Sequence, residues 1–365
     1  MSSWFSRVAV PATIALVTLA ACGQTEARFQ HHGTPGYVAI GTDGGTDPHV
    51  TFDPASAEQH GRIIGPNFSL TVSGYSVTYA ADADDAAIYG FTDGPVTVAP
   101  EHELFAAFIA PDSIGATGDI DATVAVNDDE IPLDHLPGPG ETLAAVVPVN
   151  ADVVLTVTDE DRTQQLSLRH GTRPEAVEGF YTGRPESASP RGYQAAGVAT
   201  GDAGSGYVPV DREVSISMTV GSAQRSPWHD EHGWAADDAV WVSVPVTDLA
   251  TDAVWGFDTG GGSHEPKMYW ELTEADLFRL TFDGETAEPE GDTVFTVDAD
   301  TPYEGGADSP FAPASADIVF EVPMDVLTVV FEVRPGGELA AEWADIAGSG
   351  SWKDRPEKGE FDFTF

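Results

Sequence analysis

The sequence predicts an all-β chain built as two antiparallel β-sandwich domains. Three observations point there. Apolar residues recur at every second position in many short runs, the period at which side chains alternate between the faces of a strand. Turn pairs such as Asp93-Gly94, Asn127-Asp128 and Gly138-Pro139 separate those runs, as they do in hairpin-rich folds. One composite pattern also occurs twice, as VVPVNADVVLTV at Val146–Val157 and FEVPMDVLTVVFEV at Phe320–Val333. Each copy is an apolar run into Val-Pro, a polar break at Asn150 or Asp325, and a second run with Leu-Thr-Val.

The chain opens with one cation, Arg7, and an apolar run from Val8 to Leu19 that closes on Leu19-Ala20-Ala21-Cys22-Gly23. The run is shorter than the roughly 20 residues that span a bilayer as a helix. Small residues precede Cys22, as an export peptidase requires. This L-A-A-C box resembles the lipobox of bacterial lipoproteins at every position the motif specifies. The resemblance implies that residues 1–21 are a removed signal peptide and that Cys22 becomes a lipidated N-terminus, carrying diacylglyceryl and acyl chains such as palmitate. The protein would then sit on the extracytoplasmic face of the cell membrane, since two or more chains anchor firmly at about 0.8 kcal/mol per buried methylene. Cys22 is the only cysteine, so no disulfide can form and stability must come from apolar cores.

Residues 22–60 carry Gly, Thr, Asp and His without a sustained period and read as a flexible tether, with a short strand at Gly36–Ile40. Residues 61–184 are the first domain. Phe68, Leu70 and Val72 alternate with polar or small residues, and so do Tyr75, Val77 and Tyr79. Further strands are expected at Val96–Val98, Leu104–Ile109, Thr123–Val126, Leu143–Val149, Val153–Val157 and Gln165–Leu168. Residues 185–207, rich in Gly, Ser, Ala and Pro, read as a linker.

Residues 208–365 are the second domain. Val214, Ile216, Met218 and Val220 alternate with polar residues, and the period recurs at Val240–Val246, Phe278–Phe282, Val294–Val297, Ile318–Val322, Leu327–Val333 and Phe361–Phe365. Only Thr273–Leu277 suggests a helical turn.

A proline cannot donate to a β ladder, so Pro148 and Pro323 are expected at strand ends, and a third Val-Pro stands at Val244-Pro245. The VP-x-[ND] hinge flanked by strands resembles a late corner of immunoglobulin-like domains in secreted actinobacterial antigens and lipoproteins. That resemblance implies two immunoglobulin-like β-sandwiches and brings no catalytic set.

The chain holds 16 Lys and Arg against 60 Asp and Glu, a net charge of −44. A field of that sign repels phosphate backbones, so nucleic acid is not expected as a partner. His229-Asp230-Glu231-His232 is the densest cluster of ligand-type residues; with His264 or Glu265 it could complete a zinc site, which needs at least three protein ligands, or it is a solvated loop. Calcium would suit the acidic groups Asp82, Asp84 and Asp85, Asp159–Asp161, or Asp298, Asp300, Glu304 and Asp308. None of these has the glycine and terminal acid of an EF-hand, and no cofactor is required. No nucleophile elbow or phosphate loop is present.

All seven tryptophans after Trp4 fall in the second domain. Trp241 and Trp270 have strand neighbours and read as packing, whereas Trp228, Trp234 and Trp352 read as loop aromatics able to stack on a sugar or grip a partner. The function expected is therefore a noncatalytic binding or envelope-structural role, with cell-wall polysaccharide or another envelope protein as partner. The alternative is a metal- or carboxylate-dependent hydrolase acting on envelope polymer.

Overall fold

A computed structural model of the protein describes residues 35–42, 48–52, 61–92, 94–127, 129–183, 189–202, 210–253, 267–298, 314–343 and 346–365. The chain divides into two compact units, Met1–Ala176 and Val177–Phe365. The boundary therefore precedes the expected end of the first domain at residue 184. The reason is local: the 3-10 turn Glu178–Phe180 and Thr182 are bonded within the second unit, where Arg225 Nη1 donates to the Thr182 hydroxyl at 3.0 Å.

The first unit begins with strands β1 (Val38–Gly41), β2 (Val50–Thr51), β3 (Arg62–Gly65), β4 (Phe68–Thr78) and β5 (Ala80–Ala81), then helix α1 (Ala83–Ile88) and β6 (Val96–Thr97). It continues with β7 (His102–Ile109), β8 (Asp121–Val126), β9 (Asp129–Pro132), β10 (Thr142–Pro148), β11 (Val153–Asp159) and β12 (Arg162–Ser167). One sheet runs β1-β10-β7-β4-β2, with β3 on β4, and the other runs β12-β11-β8-β9. Between them lies one core, to which β4 gives Leu70 and Val72, β7 gives Phe105 and Ala107, β10 gives Leu143 and Val147, and β11 gives Val153, Leu155 and Val157.

The opposite face of β7 and β10 is covered too. Leu104, Ala106, Phe108, Ala144 and Val146 pack there with Ala86, Tyr89, Phe91 and Val96, brought over by α1 and β6. Burial on both faces explains why these two strands read as unbroken apolar runs rather than alternating ones. Helix α1 itself was not expected. Its six residues make less than two turns, too few for a period to show, and it is fixed by a cap: Asp82 accepts from the backbone N–H of Asp84 and Asp85, each at 3.0 Å.

The expected tether also needs correction. Its strand β1 pairs with β10, Val38 opposite Ala145 through Gly41 opposite Thr142. Val38 and Ile40 pack against the core, so residues 38–41 belong to the folded unit. Likewise β2 pairs with β4.

The second unit carries β13 (Arg191–Asp202), β14 (Val210–Val220), β15 (Gln224–Ser226), β16 (Trp228–His229), β17 (Gly233–Trp234) and β18 (Ala239–Ala253). After these come β19 (Lys267–Thr273), the turn α2 (Glu274–Leu277), β20 (Phe278–Phe282), β21 (Glu285–Ala287) and β22 (Val294–Asp298). The chain then forms β23 (Ala314–Pro323), β24 (Thr328–Val333), β25 (Glu338–Trp343), β26 (Ile346–Asp354) and β27 (Gly359–Thr364). Among the described residues, a nine-stranded sheet runs β15-β18-β14-β13-β26-β25-β19-β22, with β23 on β18, and a four-stranded sheet runs β21-β20-β24-β27. Ile216 and Met218 of β14, Val242 and Val244 of β18 and Phe320 of β23 meet Phe278, Leu280, Phe331, Phe361 and Phe363 of the smaller sheet in one core.

The expected linker at 185–207 is overturned over its described residues by β13, which pairs with β14 at eleven positions from Arg191 opposite Val220 to Gly201 opposite Val210; residues 185–188 and 203–207 lie outside the described residues. This strand is rich in small residues because its neighbours come close. A Cβ on Gly197 would stand 2.6 Å from the Asp354 carbonyl oxygen. Within it Tyr193 is buried and donates its hydroxyl to the Glu357 carbonyl at 2.5 Å. Burial, aided by the nearby Glu357 carboxylate, pushes that phenol up to about 12.

The repeated pattern marks the same move in both units. Between β10 and β11, and again between β23 and β24, the chain leaves one sheet and enters the facing one. Pro148 and Pro323 are the final strand residues, where no ladder donor is needed. The turns close alike, Ala151 N–H donating to the Pro148 carbonyl at 2.9 Å and Val326 N–H to the Pro323 carbonyl at 3.1 Å. Pro245 differs. It lies within β18, opposite Asp317 of β23, and its carbonyl accepts from Gly221 N–H at 2.8 Å. Its missing N–H thus falls beside the bend that joins β14 to β15.

Candidate functional site

The His229-to-His232 segment forms the turn of a small hairpin in which Trp228 pairs with Trp234 and His229 with Gly233. Gly233 adopts φ 72°, a conformation glycine reaches without the steric cost of a Cβ. Trp241 from β18 ties the hairpin down: its Nε1 donates to the Gly233 carbonyl at 2.9 Å. Trp241 itself is buried with Ala235 and Val319, so its expected packing role holds.

The two imidazoles do come together. Their ring centroids are 5.0 Å apart, and His232, exposed, lies 5.3 Å from the Trp241 ring. Half-buried Trp234 meets Phe180 edge-on at 6.1 Å. His229 Nδ1 accepts from the Glu231 backbone N–H at 3.2 Å, which places the proton of a neutral ring on Nε2. A ring held this way presents no free lone pair to a metal until that bond breaks. His264 and Glu265 lie outside the described residues, as does Cys22. Among the described residues, no group of three or more His, Cys, Asp and Glu is arranged to hold a metal ion.

Trp352 departs from expectation. It is not on a loop but in β26, opposite Ala199 of β13, and is half-buried against the main core. In the sheet, β26 is separated from β18 by β13 and β14, so Trp352 is not part of the hairpin that holds Trp228 and Trp234. Its polar neighbours Lys353 and Asp354 disguised the strand.

The acidic groups have structural work of their own. Asp82 caps α1. Asp159 is buried and accepts from Asn67, at 2.8 Å from the backbone N–H and 2.9 Å from Nδ2. Glu160 and Asp161, at φ 47° and 63°, are the two-residue turn between paired Asp159 and Arg162, the left-handed geometry that matches strand twist in a tight hairpin. Around them Asp119, Asp121 and Thr158 complete an acidic hollow of about 230 Å³. Asp298 ends β22, and Asp300, Glu304 and Asp308 lie outside the described residues.

No protein family, curated protein or solved structure matches this chain. The chemistry of its surface must be read from its own residues.

Sequence reasoning missed one site altogether. An open cleft of about 650 Å³ in the second unit is lined by Thr273, Ala275, Asp276, Arg279, Arg334, Gly336, Gly337 and Arg355. Turn α2 supplies one wall and is fixed by a capping box. Thr273 Oγ1 accepts from Asp276 N–H at 3.1 Å and donates to Asp276 Oδ2 at 2.7 Å, while Thr273 N–H donates to the same carboxylate at 3.3 Å. Arg279 comes from β20, Arg334 from the end of β24 and Arg355 from the end of β26. The one sequence signal was scarcity: three of sixteen cations share one cleft.

Proposed function

We propose that this chain is a lipid-anchored lipoprotein on the extracytoplasmic face of the cell membrane, with a noncatalytic binding or structural role in the envelope. The observation that carries this reading is the L-A-A-C box at Leu19–Cys22, placed directly after an apolar run, in a chain whose only cysteine is Cys22. With no second cysteine in the chain, its sulfur has no intramolecular disulfide partner, which is consistent with a thiol kept for lipidation.

The noncatalytic part rests on the resemblance to immunoglobulin-like domains, which brings no catalytic set. The two units are read as immunoglobulin-like sandwiches whose corners repeat, and the carboxylates of Asp82, Asp159 and Glu103 are engaged in backbone and ion-pair bonds. Trp228 and Trp234 supply half-buried aromatic surface for polysaccharide or an envelope protein. The test is fractionation of cells that express the wild type or Cys22→Ser. The wild type is expected in the membrane fraction and the variant in soluble form; a variant that stays with the membrane overturns the anchor.

A further inference from the structure

We infer that the cleft walled by Arg279, Arg334 and Arg355 binds an oxyanion, a phosphate or carboxylate group carried on an anionic glycan. The anion preference rests on the cleft alone, while the glycan rests on the envelope reading above.

Concentration of cations is the first argument. The chain has 16 Lys and Arg against 60 acids, yet three arginines line this one cleft. Arginine presents a planar fork of N–H donors that matches phosphate or carboxylate oxygens two at a time.

The anions already present leave those donors accessible. Asp276 is turned to its own capping box, where Oδ2 accepts from the N–H and hydroxyl of Thr273 and the Asp276 N–H donates back to that hydroxyl. Arg279 meets Glu288 at 3.2 Å with both side chains more than a third exposed, and an exposed pair of that kind is worth little and exchanges readily. Arg334 Nε stands 3.6 Å from Glu332, which also has Lys358 at 3.5 Å; Glu332 keeps a cation when Arg334 turns to a ligand. Arg355 is exposed and makes no hydrogen bond or ion pair among the described residues.

Shape and polarity narrow the ligand. The volume lies within the ~300–1,000 Å³ of small-molecule sites. Among the described residues on the lining, Ala275 is the one with a wholly apolar side chain and the wall is mainly polar, so a lipid tail or an apolar peptide side chain would find little surface to bury against, whereas a hydroxyl-rich sugar would find polar partners. Gly337, at φ 80°, keeps that wall free of side chains and lets a ligand approach the backbone. The chain's overall negative field opposes an incoming anion, but at physiological ionic strength it is screened beyond ~8 Å, which leaves the adjacent guanidinium groups to decide.

The test is calorimetric titration of the full chain, in neutral detergent at physiological ionic strength, with inorganic phosphate, polygalacturonate and neutral dextran. Saturable binding of phosphate, of polygalacturonate or of both is expected, with none of dextran; the anion that binds identifies the oxyanion. Arg334→Gln and Arg355→Gln should each weaken that binding roughly tenfold or more, at an unchanged melting temperature. Saturation by neither anion, equal binding of dextran, or variants that bind like the wild type overturns the proposal. Anion binding by a protein whose Cys22→Ser variant stays with the membrane would keep the cleft and remove the lipid anchor on which the envelope reading stands.

Discussion

Arg169 reaches Glu103 Oε1 at 2.5 Å, with the two side chains 10% and 6% exposed. Its Nε donates to the Ala151 carbonyl at 2.7 Å, and its guanidinium lies 4.9 Å from the Phe105 ring centre. Glu103 in turn accepts from Asn150 N–H at 3.1 Å. One buried ion pair therefore grips both the N–H and the carbonyl side of the first corner. In the second unit Arg225 holds the equivalent corner by donating to the Met324 carbonyl. No carboxylate pairs with it among the described residues, and burial lowers its pKa from the ordinary arginine value. Removing one partner of a buried pair leaves an uncompensated charge, at a cost of about 3–5 kcal/mol. Arg169→Met is thus expected to be destabilised by that much in urea unfolding, and Glu103→Leu with Arg169→Met to recover a large part. A single variant as stable as the wild type would show that the pair does not hold the corner.

The two corners share a hydrogen-bond pattern but not a backbone. Asn150 sits at φ 62°, in the left-handed region, whereas Asp325 has no positive φ. Left-handed backbone costs a residue with a Cβ about 1–2 kcal/mol, and asparagine tolerates it better than most. Asn150→Ala should therefore lower stability by roughly 1 kcal/mol, Asn150→Gly by much less, and Asp325→Ala through no backbone term. Chemical denaturation of the three variants checks the order, and a loss from Asn150→Gly equal to that from Asn150→Ala would refute the backbone explanation. What was legible in the sequence follows the same contrast of residue types. Strand β14 alternates bulky apolar with polar residues, and β18, β23 and β24 carry bulky apolar residues at every second position, so all four are legible. In strand β13 the buried positions after Tyr193 are the small residues Gly197 and Ala199, so its burial pattern left little mark. Of the candidate sites, the His-Trp hairpin was visible because its residues are consecutive; the arginine cleft was not, because each guanidinium arrives on a different element.

Each unit has a core of its own, and the two share no residue. Both fold under a net charge of −44, and self-repulsion of that size opposes compaction. Raising ionic strength from about 0.01 M to about 0.15 M shortens the screening length from ~30 Å to ~8 Å, so the melting temperature should rise. A fall would mean that exposed pairs such as Lys353 with Asp211, 2.6 Å apart, outweigh the repulsion. Strand β1 has a mechanical meaning in this setting. Tension drawn on the chain ahead of Val38 enters the first unit at the margin of a sheet, on a strand with only four paired residues. Those bonds, with the two that Gly36 and Tyr37 make to Val146, would give way before the interior strands are loaded, and their loss frees Val38 and Ile40 from the main core and Tyr37 from its stack on Phe91. A pull on this end of the chain would lengthen it by one short strand while β10, β7 and β4 stay zipped.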